Sequence, residues 1–251
     1  MPDRGWRPLD YDVETAWLRE RTPSTGPISA GTTTGYEPDG YEHAIWVLHA
    51  MYEPIEPKPA PIAAHDASDV GATWILQSTR RRDVDYAPLG VANPEPGPGW
   101  RRVRWSELAD RLDSSLQGQP YPPCFRWFPD KGWPADLLPP AEGSLDRPTS
   151  RRLVTHLALA SDSAECIAAY SSLAGGWREP NLCFAGRVDH LLNLCADSLG
   201  TPSNFWAIDR SWFAYTDWNL WATKVNGPPD LIAALNADPE LETLSWPDAE
   251  K

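Results

Sequence analysis

Residues 201–221 read TPSNFWAIDRSWFAYTDWNLW, and residues 222–229 continue ATKVNGPP. Residues 211–216 and 221–225 are rich in strand formers, which predicts an antiparallel hairpin with its turn near 217–220. On the first strand Trp212, Ala214 and Thr216 face one way and Ser211, Phe213 and Tyr215 the other. Neither set is plainly polar, so the hairpin is expected to be covered on both faces and central in its sheet. Asn226 and Gly227 end the second strand, and Pro228, Pro229 and Asp230 announce a helix carrying Leu231, Ile232 and Leu235 on one side. Asn236 and Asp238-Pro239 close that helix before a last short strand over 242–246.

Working outward, residues 10–21 predict a helix with Val13, Trp17 and Leu18 as its apolar stripe. Residues 44–51, AIWVLHAM, form a strand buried on both faces. Ser106 is placed to cap a helix through Leu116, with Leu108 and Leu112 inward. Asp146 and Pro148 start a second helix to about Ala160, with Leu153 and Leu157 inward. Residues 166–170 read as a strand. Residues 188–199 fit a helix by the spacing of Val188, Leu191, Leu192, Cys195 and Leu199. Proline spacing makes 53–68 and 87–99 loops. The sum is an α+β chain with a mainly antiparallel sheet and a few short helices. Its organisation is an N-terminal arm over 1–30 and a single domain over 31–251 carrying the two loop insertions.

Ordinary apolar and charged fractions, 41 % and 23 %, argue for a folded globular chain, while 14 Trp and 27 Pro are unusual. No apolar run is long enough to span a bilayer, and residues 1–17 lack the order of a signal peptide, so a cytoplasmic location is expected. Cys124, Cys166, Cys183 and Cys195 are scattered, with no C-x-x-C, and are expected to be free. No metal or cofactor is expected. The net charge of −13 is concentrated: residues 31–70 carry seven acids against one base and residues 191–251 nine against three. Such a surface repels nucleic acid and anionic membrane, and steers a basic partner if both segments share one side.

No serine elbow or phosphate-binding loop is present. Asp209 and Asp217 resemble a glycosidase pair beside tryptophans, but eight residues of extended strand, at roughly 3.3 Å each, hold them too far apart. The candidate binding residues are therefore Trp206, Asp209, Arg210, Trp212, Tyr215, Asp217, Trp218 and Trp221, an acidic and aromatic set in which Trp218 at the turn is expected to be the most exposed. Two functions fit them. One is a noncatalytic protein that binds a basic protein, as an immunity or antitoxin-type inhibitor does. The alternative is an enzyme or small-ligand binder, for a sugar as an example, with a tryptophan-lined pocket reaching residues 125–133.

Phe205-Trp206-x-x-Asp209-Arg210-Ser211-Trp212, Tyr215-Thr216-Asp217, Lys224-Val225-x-Gly227 and Leu231-Ile232-x-x-Leu235-x-Ala237-Asp238-Pro239-x-Leu241-Glu242 together resemble the C-terminal region of a family of proteins from high-GC Gram-positive (actinobacterial) bacteria. Residues 41–51, 104–108 and 166–177 resemble earlier segments of the same family, in the same order, while the Pro-rich middle departs from it. No activity is established for that family. The resemblance implies a bacterial cytoplasmic protein with a shared fold, including a strand over 188–194 that is adopted here over the helical spacing, and it carries over no catalytic residue.

Overall fold

The computed structural model describes residues 5–22, 37–56, 86–87, 96–119, 122–124, 127, 133–134, 136–161, 164–171, 181–196, 200–217 and 220–245. Its centre is an eight-stranded, wholly antiparallel sheet in the order β1 (Arg7–Pro8), β8 (Leu182–Arg187), β7 (Glu165–Tyr170), β9 (Asn204–Ala207), β10 (Phe213–Tyr215), β11 (Ala222–Gly227), β2 (His43–Leu48), β12 (Thr243–Leu244). The expected hairpin is β10 and β11, with Phe213 opposite Asn226 and Tyr215 opposite Lys224. Its turn closes through the Leu220 N–H donating to the Asp217 carbonyl at 2.9 Å. β9, β10 and β11 run as a meander in the middle of the sheet, so both faces of the hairpin are buried.

Alternation along these strands builds two separate cores. Ile45, Val47, Phe205, Trp212, Ala214 and Val225 point to one face, together with Leu153, Val154 and Leu157 of α4 (Arg147–Leu159), Leu191 and Leu194 of α5 (Leu191–Ala196) and Leu231 and Leu235 of α6 (Pro229–Ala237). Trp46, Leu48, Trp206, Phe213 and Tyr215 point to the other. That second face is covered by Trp17 and Leu18 of α2 (Ala16–Arg21), by Trp105, Leu108 and Leu112 of α3 (Trp105–Leu112), by Cys124, Trp127 and Trp133, and by Met51 and Val103 of a small ribbon. The ribbon pairs β3 (Met51–Pro54) with β5 (Trp100–Val103), and a second one pairs β4 (Tyr86–Ala87) with β6 (Trp133–Pro134). No helix among the described residues is long and apolar enough to cross a membrane.

Several local expectations are corrected. Residues 188–194 are not a strand: β8 stops at Arg187, a 3-10 turn spans Val188–His190, and α5 follows. Val188, Leu191 and Leu194 recur three residues apart and all turn inward on α4, a period only a helical segment can present to one neighbour. The helix over 10–21 is broken at the buried Thr15, whose hydroxyl donates to the Tyr11 carbonyl at 2.6 Å, into α1 (Tyr11–Glu14) and α2. The break turns Val13 outward, 68 % exposed, while Trp17 and Leu18 remain in the core. Ser106 is not a cap, because α3 begins one residue earlier, with Arg104 at the capping position and the helix ending at Asp113 in a left-handed conformation (φ 51°). Glu53 and Pro54 belong to β3, where a proline is accommodated because the ribbon has open edges. Ala87 pairs in β4, and residues 57–68 and 88–95 lie outside the described residues.

The N-terminal arm is part of the sheet. β1 pairs along the outer edge of β8, and the Trp6 ring lies so close over Gly186 that a Cβ there would meet it at 2.6 Å. Glycine at 186 is what allows that approach.

Candidate functional site

The structure separates the eight candidate residues. Trp206, Tyr215 and Trp221 are buried in the tryptophan-rich core, and Trp212 is buried on the opposite face, its indole N–H donating to the Ser161 hydroxyl at 2.7 Å. Asp217 is buried, with the Tyr215 hydroxyl 3.4 Å from its carboxylate. Trp218, the residue expected at the exposed turn, lies outside the described residues. Only Asp209 and Arg210 stand at the surface, in the tight turn between β9 and β10. Asp209 lies in the turn before β10 and Asp217 in the turn after it.

The turn is built by local chemistry. The Arg210 N–H donates to the Ala207 carbonyl at 2.8 Å, and the Asp209 carboxylate accepts from the Ser211 N–H at 2.9 Å, an Asx-type closure. Arg210 itself takes a left-handed backbone (φ 61°), which side chains other than glycine and asparagine adopt at a cost. That conformation carries its guanidinium back over the indole of Trp17, 4.4 Å from the ring centroid. Trp17 meets Trp206 edge-on at 5.7 Å and Phe213 at 6.0 Å. Tyr41 stacks on Phe213 at 6.2 Å and donates its hydroxyl to the Arg210 carbonyl at 3.1 Å. Burial pushes the Tyr41 phenol up to about 12, against the pull of Arg21 and Arg210. Sequence reading placed Trp17 in a core helix and gave Tyr41 no role beyond the family resemblance, and no local pattern links either to Arg210.

The strand ends at this end of the sheet carry acids. β2 begins opposite the end of β11, His43 facing Gly227. Asp39 and Glu42 precede it, Asp209 lies in the β9–β10 turn, Glu165 opens β7, and Asp230 follows β11, all exposed. Ile208, in the same turn, is 44 % exposed. A second cation repeats the Arg210 arrangement: the Lys224 ammonium lies 5.7 Å from the Trp46 ring centroid and is also paired with the Glu37 carboxylate.

Other polar groups hold the elements together. Asp238, held between α4 and the end of α6, accepts from His156 Nε2 at 2.7 Å and from Arg152 Nε at 2.9 Å. Burial opposes ionisation of Asp238, but the hydrogen bonds from His156, the Glu240 N–H and Arg152 outweigh it and draw the carboxyl down to about 2. Among the described residues no hydroxyl or thiol hydrogen-bonds to His156, so the pair acts as a clamp between helices. At the opposite end of the sheet His49 is fully buried, its Nδ1–H donating to the Ala141 carbonyl at 2.8 Å, which leaves Nε2 to accept from the Thr223 hydroxyl at 3.0 Å. Burial lowers its pKa to about 4, so it is neutral and closed to solvent. Nearby, Tyr52 donates its hydroxyl to the buried Asp146 at 2.5 Å. Glu142, beside Ala141, reaches water but is crowded by protein, and loss of solvation raises its carboxyl to about 7, a shift that water on its open side moderates.

Cys124, Cys166 and Cys183 are buried thiols in no disulfide, and the Cys195 side chain lies outside the described residues. Among the described residues no three His, Cys, Asp or Glu side chains cluster as a metal site would require. No family model, no curated protein and no solved structure matches the chain.

Proposed function

We propose that this is a noncatalytic, acidic binding protein of the bacterial cytoplasm, of the actinobacterial kind its residues resemble, whose partner is a basic protein that it holds as an immunity or antitoxin-type inhibitor does. The observation that carries the reading is the pairing of the two acidic segments. Residues 31–70 and 191–251 hold −6 each of the −13 net charge, and β2 of the first segment is hydrogen-bonded on one side to β11 and on the other to β12 of the second. The exposed acids Asp39, Glu42, Asp209 and Asp230 sit at the ends of these strands, an arrangement suited to steering a basic partner. The tryptophans that a pocket would need are committed elsewhere, Trp105, Trp127, Trp133 and Trp221 packing on one another at 5.1–6.0 Å.

Native mass spectrometry of the protein isolated from its host at low ionic strength tests this. A stoichiometric basic protein that dissociates as salt is raised is the expected result. A retained small molecule with no protein partner overturns the reading and favours the enzyme or sugar-binder alternative.

A further inference from the structure

The two edges of the central sheet are finished differently. At one edge β1 pairs with β8, and the Leu9 N–H donates inward to the Cys183 carbonyl at 2.8 Å, so the residue before it, Pro8, is the one that faces outward. Proline offers no N–H there, and this edge is closed to a further strand. At the other edge β2 pairs with β11 along its whole length, from His43 opposite Gly227 to Leu48 opposite Ala222, while β12 pairs only with Val47 and Trp46 on the outer side. Two bonds fix the alternation. The His49 N–H donates to the Trp221 carbonyl on the β11 side, and the Leu48 N–H to the Glu242 carbonyl on the β12 side, both at 2.8 Å. Odd-numbered residues of β2 therefore bond to β11, and Leu48, Trp46 and Ala44 turn their N–H and C=O outward. Trp46 meets Leu244, but Ser245 has already left the strand and is exposed, so Ala44, itself exposed, has no strand opposite its outer side among the described residues. No proline, lysine or bulge interrupts Glu42, His43 and Ala44. What guards the stretch is the charge of Glu42, which is exposed and whose ion-pair contact among the described residues is His43 at 3.9 Å. A carboxylate on an edge repels a strand of its own sign and admits a basic one.

We propose that the outer edge of β2 over Glu42, His43 and Ala44 is a strand-addition site, and that it takes an extended segment of the basic partner with a lysine or arginine opposite Glu42. This rests on the basic-partner reading and deepens it to a surface. The partner's backbone supplies the acceptor and the donor that face Ala44, and its basic side chain pairs with Glu42, so main-chain bonds hold the segment and the acid sets its sign. The site lies where the two acidic segments meet, since β2 belongs to the first and β11 and β12 to the second.

The test follows amide hydrogen exchange of the full chain by NMR with three peptides: acetyl-Thr-Lys-Val-Lys-Thr-amide, its counterpart with glutamate for both lysines, and the lysine peptide methylated at its backbone nitrogens. In the free chain the Ala44 amide should exchange about tenfold or more faster than that of Ile45, which is bonded to β11. The lysine peptide should slow Ala44 and leave Ile45 unchanged, and the other two peptides should slow neither. Glu42→Lys, an exposed change that leaves the melting temperature in place, should weaken the lysine peptide about fivefold, the scale of one exposed ion pair. An Ala44 amide already protected in the free chain overturns the proposal, whether this chain's own residues cover it or, if dilution releases it, a second copy does. Equal protection by the lysine and glutamate peptides, or by the lysine peptide and its methylated form, also overturns it. A native basic partner that leaves Ala44 exchange unchanged sinks the site while leaving the basic-partner reading intact. Protection by the lysine peptide as described, with no native basic partner, does the reverse.

Discussion

The two faces of the central sheet solve the same burial problem with different materials. On one, Leu153, Leu157, Leu191, Leu231 and Leu235 come from three helices, and the aliphatic side chains arrive at helical spacing. On the other, seven tryptophans of the described residues, Trp17, Trp46, Trp105, Trp127, Trp133, Trp206 and Trp221, form the core, and one of the covering ones, Trp133, comes from the two-residue strand β6. A single indole removes about 150–250 Å² from water, so a face built of them needs few covering residues and no continuous helix. The cost is directional. Each buried N–H needs an acceptor, and Trp105 finds the His49 carbonyl at 2.9 Å while Trp133 finds the Leu137 carbonyl at 2.6 Å. The aliphatic face is held by periodic area, and the tryptophan face by area together with specific polar contacts.

The largest test of that difference pairs one residue from each face. Trp105→Ala removes a fully buried indole that packs on Trp127 and Trp221 and strands the His49 carbonyl, so a loss of about 5 kcal/mol is expected, at the top of the range for large aromatics. Leu157→Ala, equally buried, should cost about 3 kcal/mol. Urea melts of both variants measure this. Equal losses would mean the polar contacts add nothing and the two faces differ only in composition.

The same contrast explains what could be read from sequence. α4 and α6 were legible because Leu153 and Leu157, or Leu231 and Leu235, repeat at a helical period behind a proline start. The central hairpin was legible because Phe213, Ala214 and Tyr215 alternate between two apolar faces. Residues 188–199 carried the right helical spacing, and the strand reading set it aside. The tryptophan face has no period: Trp127 and Trp133 contribute singly, and nothing local says that they meet Trp105 and Trp221. The candidate site was half legible for the same reason. Asp209 and Arg210 stand out as charges among aromatics, but their partners Trp17 and Tyr41 lie far off along the chain and become neighbours only when α2 and β2 reach the sheet.

Acid should strain the sheet end at His49 before it touches either face elsewhere. His49 has its pKa lowered from 6.5 to about 4 by burial, so between those values the unfolded chain binds a proton that the native chain does not. Stability from this group is therefore complete above about pH 6.5 and falls as pH drops towards 4, by roughly 3 kcal/mol in all. Glu142 acts in the opposite sense, its raised carboxyl favouring the native chain at low pH, with an effect reduced by its exposure. Urea melts of Glu142→Gln at pH 7 and pH 4.5 isolate the histidine, and an imidazole NMR titration should place its midpoint near 4. A midpoint near 6.5 would show that His49 is not sealed between Ala141 and Thr223.

The smallest expected effect is the most discriminating. α3 covers the tryptophan face, yet its start has no local cap, and the two oxygens of Glu242 accept instead from the Trp105 N–H at 2.7 Å and the Ser106 N–H at 3.0 Å. A carboxylate there also meets the positive end of the helix dipole. Glu242→Ala should cost about 1 kcal/mol, as the loss of a cap does, because water can reach the half-buried site and replace part of the contact. Glu242→Gln keeps one acceptor and should cost about half as much. The informative readout is amide hydrogen exchange: α3 should exchange faster in Glu242→Ala while α4, on the aliphatic face, stays unchanged. If α4 opens in step with α3, the two faces unfold as one cooperative unit, and their different construction has no bearing on how the molecule comes apart.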